Sequence, residues 1–152
     1  SVWAIKVPYD ELCIHLDTYF SRVDYDTFLL DRTLLEEAEV YRITRGRREW
    51  TTRASIVEGG IREAIGIAVG SNNLRFILCG GSNPAAAERE RANNAASTLC
   101  LKPGKVCVYG ENTETNAALE QAGIELVPIS IFELTSGFGG PDCLCLPLAR
   151  SI

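Results

Sequence analysis

Two residues near opposite ends of the chain, Cys143 and His15, have side chains suited to nucleophilic catalysis. Cys143 follows glycines at positions 137, 139 and 140 and then Pro141, and glycine permits backbone geometry and close ligand approach that other residues prevent. A cysteine presented after such a turn is a candidate nucleophile, provided that a base or a positive neighbour converts its thiol to the thiolate. His15 is the single histidine of the sequence. This chemistry therefore requires a fold in which the two ends of the chain meet.

Each candidate also has a purely structural interpretation. Cys143 could be one more buried cysteine, although its Gly-Pro surroundings favour a site position, and His15 could be a core histidine bonded to Asp17. Cys145 would lie on the same face as Cys143 in an extended segment, and for Cys145 packing is the favoured interpretation. Asp24 lies in an Asp-Tyr-Asp stretch that turn chemistry explains.

The composition excludes several functional classes. With 152 residues, 46% hydrophobic and 23% charged, the chain fits one domain, residues 1–152, with ordinary globular composition. A net charge of −5 argues against general nucleic-acid binding, which requires a basic surface. The arginines at 42, 45, 47 and 48 flank a turn and are interpreted as a solvated hairpin tip rather than an anion site. We therefore expect no nucleic-acid partner. No apolar run approaches the roughly 20 residues of a membrane helix, so we expect no membrane partner either.

The cysteines bear on cofactors and on the redox compartment. The six cysteines fit no zinc-site spacing, so no metal or other cofactor is expected. Cysteines 13, 79, 100 and 107 lie in apolar runs, where free cysteine behaves as a small buried hydrophobe. We therefore expect a reduced, intracellular chain, cytoplasmic or organellar, rather than a disulfide framework. No signal peptide is visible and the first residue is Ser, so the sequence is compatible with a processed chain or a piece of a longer protein.

The apolar pattern predicts short strands with a helix in each of two units, residues 15–79 and 98–146. Strands are predicted at 2–7, 19–23, 27–30, 39–44, 48–52, 74–79, 97–101, 105–109 and 124–129, with a last strand carrying Cys143. Residues 56, 61, 64, 65 and 68 form a rough helical face. A second helix begins at Asn83-Pro84, and a third is capped by Asn112 or Thr113 and ends at Gly123.

The sequence resembles the C-terminal part of arginine deiminases, members of the guanidine-modifying, or pentein, superfamily. The matching segments follow the family's order and spacing over nearly the whole chain. They are His15-Leu16-Asp17-Thr18, Val23-Asp24, Cys79-Gly80-Gly81, residues 84–90, Pro103-Gly104 with Val106 and Tyr109, Thr115-Asn116 with Leu119, Ala122-Gly123-Ile124, Glu133-Leu134, Gly139-Gly140-Pro141 with Cys143, and Pro147-Leu148.

The resemblance implies an α/β fold, a ring of strand-strand-helix-strand modules around a central site. A full family member has five modules, and this chain would supply about two, a partial α/β-propeller. Two modules would leave unpaired strand edges. The resemblance therefore implies a companion chain, self-association or further sequence that completes the propeller.

The resemblance also implies roles for individual residues. Cys143 aligns with the nucleophile that attacks the guanidinium carbon, and His15 aligns with the general acid/base. Asp17 aligns with a carboxylate that holds the guanidinium nitrogens, and Phe138, Gly139 and Gly140 fall at substrate-binding positions. The implied reaction hydrolyses arginine or another guanidine to a ureido product, such as citrulline, and ammonia.

Three departures from the family pattern stand against these roles. Phe138 occupies the position, five residues before the nucleophile, where the family usually has an arginine lining the site. Ser82-Asn83 stands where the family favours Gly-Asp. Residues 93–97, which end at Ser97, stand where the family has the motif Asn-Asp-Gly-x-Asn. These departures favour the alternative, a non-catalytic relative kept as a structural or interaction subunit of a larger assembly.

Overall fold

The computed structural model describes residues 1–7, 15–130 and 139–149, and within them it contains three three-stranded sheets and four α-helices. The strands are β1 Val2–Lys6, β2 Phe20–Arg22, β3 Thr27–Leu30, β4 Glu39–Arg45, β5 Thr52–Ile56, β6 Arg75–Leu78, β7 Leu99–Lys102, β8 Lys105–Tyr109 and β9 Glu125–Ile129. The helices are α1 Arg32–Glu37, α2 Gly60–Val69, α3 Pro84–Ala92 and α4 Thr113–Gln121, and a 3-10 turn spans Leu16–Thr18. No helix in this part of the chain is both long and apolar enough to cross a bilayer.

Two of the sheets have the same topology, which confirms the mixed α/β architecture. In the first module, residues 20–78, β2 runs antiparallel to β3, and β3 runs parallel to β6, which follows α2. In the second module, residues 99–129, β7 runs antiparallel to β8, and β8 runs parallel to β9, which follows α4. Both modules are therefore strand-strand-helix-strand units. Closure of a ring of such modules stays a prediction.

The third sheet is formed by β1, β4 and β5, and the hairpin predicted in this region is confirmed, because β4 and β5 pair antiparallel. The predicted hairpin arm at 48–52 was wrong, because the loop between the strands runs from 46 to 51 and β5 begins only at Thr52. Ile56 consequently ends a strand and does not begin a helix. All five residues of β5 are exposed, so this strand has no buried face whose alternation a sequence could display. The arginines at 45, 47 and 48 are exposed, as expected for a solvated tip.

The predicted last strand around Cys143 was also wrong. Residues 141–144 form a turn, in which the amide of Cys145 donates to the carbonyl of Asp142 at 3.1 Å. Pro141 provides no amide hydrogen for a strand ladder, and its ring fixes the backbone for a turn.

The boundaries predicted for α3 and α4 were confirmed, and α4 has an unexpected capping group. Asn83 caps α3, since its Oδ1 accepts from the amides of Ala85 and Ala86 at 3.1 and 3.3 Å. Asn112 precedes α4, but the carboxylate of Glu90 takes over the capping and accepts from the amides of Glu114 and Thr115 at 3.0 and 2.9 Å. An anionic group at this position also complements the helix dipole.

β3 lies at the centre of its sheet and is buried on both faces, as its uninterrupted apolar sequence requires. Leu29 packs into one core with Ile77 of the first module and with Val106 and Leu119 of the second. The neighbouring residues Phe28 and Leu30 pack into the other core, under α1 and α2. Burial of each such side chain contributes about 1.5–3 kcal/mol. The two modules therefore share a core and hold a fixed relative position.

Polar contacts reinforce this junction between the modules. The amide of Gly104 donates to the carbonyl of Val23 at 3.0 Å. The hydroxyls of Ser21 and Thr98 lie 2.8 Å apart and share a hydrogen bond. These contacts place the chain around residue 17 beside the chain around residue 97.

Candidate active site

Asp17 lies in the short 3-10 turn that leads into β2. The turn is closed by the amides of Thr18 and Tyr19, which donate to the carbonyls of His15 and Leu16 at 3.2 and 3.0 Å. Thr18 and Tyr19 are buried, whereas Asp17 is half-buried. The turn is thus anchored by its neighbours, and the Asp17 carboxylate is left at the surface of the junction between the modules.

Cys143 is presented by the turn that follows the two glycines. The hydroxyl of Tyr109, a buried residue at the end of β8, donates to the carbonyl of Gly139 at 2.8 Å. Gly140 packs so tightly on Ser97 that an added Cβ would overlap the Cβ of Ser97 and lie 2.5 Å from its Oγ. Only glycine therefore allows this turn to approach the second module, and the approach sets the position of Cys143.

Ser97 lies between the end of α3 and the start of β7. Its amide donates to the carbonyl of Asn94 at 3.0 Å, and the residue is only 1% exposed. Its backbone is held on one side by this turn and on the other by Gly140.

These three segments bring Asp17, Ser97 and Cys143 into direct contact. The Sγ of Cys143 donates to Oδ2 of Asp17 at 2.8 Å. The Oγ of Ser97 donates to the same oxygen at 3.0 Å and lies 3.6 Å from the Sγ of Cys143. Segments near the two ends of the described chain therefore meet. The interpretation of Cys143 as a buried structural cysteine was wrong, because the residue is exposed.

The surroundings of Cys143 favour the neutral thiol. Partial desolvation raises the pKa of the Cys143 thiol, and so does its hydrogen bond to Asp17, because an anionic thiolate beside a carboxylate is unfavourable. Hydrogen bonds from Ser97 and from the amide of Gly140 act in the opposite direction. Burial also raises the pKa of Tyr109, and the neighbouring Cys143 adds to this effect. In the absence of a cation, Cys143 therefore holds its proton against Asp17.

His15 immediately precedes the turn that carries Asp17. Its carbonyl accepts from Thr18, and the residue is exposed. The interpretation of His15 as a core histidine was therefore wrong. Among the described residues its ring makes no hydrogen bond, so its role as general acid/base stays a prediction.

The remaining candidates have different outcomes. Phe138 lies outside the described residues, and the substrate-binding roles of Gly139 and Gly140 stay predictions. Cys145 is exposed, so its interpretation as a packing residue was wrong. Asp24 does act in a turn, since its Oδ1 accepts from the amide of Tyr25 at 2.7 Å.

The other described cysteines differ from Cys143 in their surroundings. Cys79 and Cys107 are buried and Cys100 is half-buried, while Cys13 lies outside the described residues. Burial raises the pKa of the Cys79 thiol far above its ordinary value, and the nearby carboxylates of Asp31 and Glu90 add to this effect. Cys79 is therefore chemically inert in the folded chain.

Sequence reasoning missed the contributions of Ser97 and Tyr109. Ser97 drew notice only as a departure from a family motif, and Tyr109 only as a match to one. The available signal was position: Tyr109 is the last residue of the apolar strand β8, and Ser97 lies two residues before β7, the strand that pairs with β8.

The site is thus a thiol and a carboxylate in hydrogen-bond contact, at the junction of two strand-strand-helix-strand modules. Comparison with known proteins gives the family. The arginine deiminase family model matches residues 1–150. The chain therefore belongs to the arginine deiminase family.

Individual relatives agree with this assignment. The chain is 33% identical over 150 residues to the arginine deiminase of Treponema denticola, an alignment that covers 99% of this chain and 37% of the relative. It is 37% identical over 150 residues to the arginine deiminase of Clostridium perfringens, covering 99% of this chain and 36% of the relative. It is 40% identical over 139 residues to the arginine deiminase of Streptococcus pyogenes, covering 90% of this chain and 33% of the relative. The chain thus spans little more than a third of the length of these relatives.

Proposed function

We propose that this chain contributes the nucleophile and part of the substrate-binding group to an arginine-deiminase-type hydrolase. The observation that supports this best is the 2.8 Å contact between the Sγ of Cys143 and Oδ2 of Asp17. It supports the proposal because the thiol proposed as the nucleophile lies beside the carboxylate that would hold a cationic substrate. The substrate is arginine or another compound with a guanidinium group, and the products are a ureido compound, citrulline from arginine, and ammonia.

In the proposed first half-reaction, the guanidinium binds to Asp17 through paired charge-assisted hydrogen bonds. The positive charge lowers the pKa of the adjacent thiol, which releases its proton to solvent, and the resulting thiolate attacks the guanidinium carbon. A proton from His15 goes to the departing nitrogen, the carbon–nitrogen bond breaks, and ammonia leaves. A positively charged thiouronium remains on Cys143.

In the second half-reaction, His15 accepts a proton from water as the water oxygen adds to the same carbon. The carbon–sulfur bond then breaks, and the electron pair returns to sulfur as the thiolate. Loss of the remaining hydroxyl proton gives the neutral ureido product. General acid/base assistance of this kind contributes about 10²- to 10⁴-fold.

We propose further that the site is completed by additional modules, supplied by more of the same polypeptide, by a companion chain or by self-association. The edge strand β5 and the two small modules are consistent with an incomplete ring. The alternative, a non-catalytic subunit, gains no support from the comparisons, in which the named relatives are arginine deiminases.

The test is ammonia and ureido-product release by the full-length protein, with arginine, agmatine and a peptidyl arginine as substrates. We expect Cys143→Ser to abolish release, because a serine hydroxyl does not ionise at neutral pH. Cys145→Ser is the matched control, since Cys145 is also exposed and lies two residues away. Release that is undiminished in Cys143→Ser, or lost equally in both variants, would contradict the assignment.

A further inference from the structure

Ser97 makes two contacts in the site, but its hydroxyl has a single proton to donate. Its Oγ lies 3.0 Å from Oδ2 of Asp17 and 3.6 Å from Sγ of Cys143, and both distances are compatible with hydrogen bonds to oxygen and to sulfur. The proton can therefore point to only one of these two acceptors at a time.

The position of the Ser97 oxygen is fixed. The residue is 1% exposed, its amide is bonded to Asn94, and Gly140 packs directly against its side chain. The next residue, Thr98, is tied to Ser21 of the first module. Because both acceptors are already within reach of Oγ, rotation about the Cβ–Oγ bond is enough to transfer the hydrogen bond from one to the other.

The direction of donation follows from charge. A hydroxyl donates more strongly to an anion than to a neutral group, by roughly a factor of two. In the empty site Asp17 is the anion in contact and Cys143 is a neutral thiol. When a guanidinium neutralises Asp17 and Cys143 loses its proton, the sulfur becomes the better acceptor.

We propose that Ser97 is a positioning residue that donates to Asp17 in the empty site and to the thiolate of Cys143 once Asp17 binds a cation. This inference rests on the proposed function, because it assigns the same Asp17 and Cys143 their roles. It goes beyond that function by giving a role to a residue at which the chain departs from the family motif. Ser97 thereby keeps the carboxylate aligned and then stabilises the nucleophile as it forms.

The test compares Ser97→Ala, Ser97→Thr and the wild type in the full-length protein, by the pH dependence of Cys143 alkylation with iodoacetamide. Mass analysis of the peptides separates Cys143 from Cys145. In the presence of millimolar guanidinium ion, which neutralises Asp17, Ser97→Ala removes the donor to the thiolate, so we expect the midpoint of the profile to rise by roughly 0.5–1.5 pH units. Without guanidinium the change should be smaller, because Ser97 then donates to Asp17 in both protonation states of Cys143. Ser97→Thr retains a hydroxyl and is expected to restore the midpoint. Ser130→Ala is the matched control, because it removes another serine–carboxylate bond, from Ser130 to Glu111 at 3.2 Å, outside the site.

Turnover provides the second readout. For Ser97→Ala we expect kcat/KM for arginine to fall about tenfold at neutral pH and to recover as the pH rises and the thiolate forms without help. A loss that is the same at every pH would indicate a purely structural role and would overturn the inference.

The alkylation readout also separates this inference from the proposed function. An unchanged midpoint in Ser97→Ala with guanidinium present overturns the inference whether or not the wild type releases ammonia. A raised midpoint together with a wild type that releases no ammonia supports the role of Ser97 at the thiol and contradicts the proposed function.

Discussion

Glu90 and Asp17 are carboxylates that each accept several hydrogen bonds, yet their donors differ in kind. Glu90 is fully buried and accepts from the amides of Glu114 and Thr115 and from the Thr115 hydroxyl, all at the start of one helix. Asp17 is half-buried and accepts from the side chains of Ser97 and Cys143, which come from two separate segments.

The difference indicates what each carboxylate can do. Two of the three donors to Glu90 are backbone amides in a helix, which cannot turn away, so Glu90 keeps these partners and acts as part of the fold. Side-chain hydroxyls and thiols can rotate or release a proton, so the partners of Asp17 can yield to a ligand. The presence of backbone donors therefore distinguishes Glu90 from Asp17, the carboxylate proposed to bind substrate.

The largest expected effect is the loss of activity in Asp17→Asn. The variant keeps the shape of the side chain but removes the charge that we propose binds the guanidinium, so we expect kcat/KM for arginine to fall about 10²- to 10³-fold. The free energy of unfolding should change by less than about 1 kcal/mol, because the group is partly solvated. Ammonia release and thermal unfolding of the full-length protein measure the two quantities. Asp26→Asn, in an exposed turn, is the control, and a stability loss as large as that of a core variant would contradict the comparison.

Glu90→Gln should show the reverse behaviour. The amide group of glutamine would face backbone amides that need an acceptor, so we expect a loss of about 2–4 kcal/mol in the free energy of unfolding. The kcat of the molecules that remain folded should stay within about threefold of wild type, because Glu90 lies outside the site. Denaturant unfolding checks the first expectation. Glu88→Gln, on the exposed side of the same helix, should have little effect, and equal stabilities of the two variants would refute a special role for Glu90.

Gly140→Ala sharpens the comparison by disturbing the donors of Asp17 without touching the carboxylate. The added Cβ would overlap Ser97, so the turn must move away and carry Cys143 with it. We expect a cost of about 1–3 kcal/mol in stability, together with reduced ammonia release. Gly110→Ala serves as the control, because its added Cβ would meet atoms no nearer than 3.9 Å. Wild-type activity in Gly140→Ala would show that the close contact does not position the nucleophile.

The smallest effect concerns pH and the two kinds of thiol. Because the pKa of Cys143 is raised above its ordinary value, its thiolate is scarce at neutral pH, and alkylation should accelerate about tenfold per pH unit up to that pKa. Cys79, whose pKa is raised much further by burial, should stay unmodified until the protein unfolds. Peptide mass analysis after timed exposure to iodoacetamide distinguishes them. A rate at Cys143 that does not depend on pH between 6 and 9 would contradict the arrangement described here.

The sequence was sufficient to predict the two modules, because their strands and helices have buried faces that leave a periodic apolar pattern. Asn83 and Gly123 marked helix boundaries for local reasons that do not depend on the rest of the fold. The second arm of the predicted hairpin was placed at 48–52 and not at β5, because no residue of β5 is buried and the strand leaves no apolar pattern. The turn at Cys143 was predicted as a strand because the leucines that follow suggested a buried apolar face. In the structure these leucines are exposed and belong to no core.

The site was only partly predictable. The spacing of Asp17 and Cys143 within family motifs pointed to a shared site, and the structure places their side chains in contact. Ser97 could not be assigned a role in this way, since its two contacts depend on how the modules pack. The capping of α4 by Glu90 was hidden for the same reason, because the donor and acceptor are 24 and 25 residues apart in the sequence.

The burial of β3 on both faces has a consequence for the cooperativity of unfolding. Leu29 belongs to the core that joins the two modules, while Phe28 and Leu30 belong to the core under α1 and α2. Neither core can open without exposing side chains of the strand that supports the other. Unfolding of the described region should therefore proceed as one transition, in which the partners of Asp17 are lost together with the shared core.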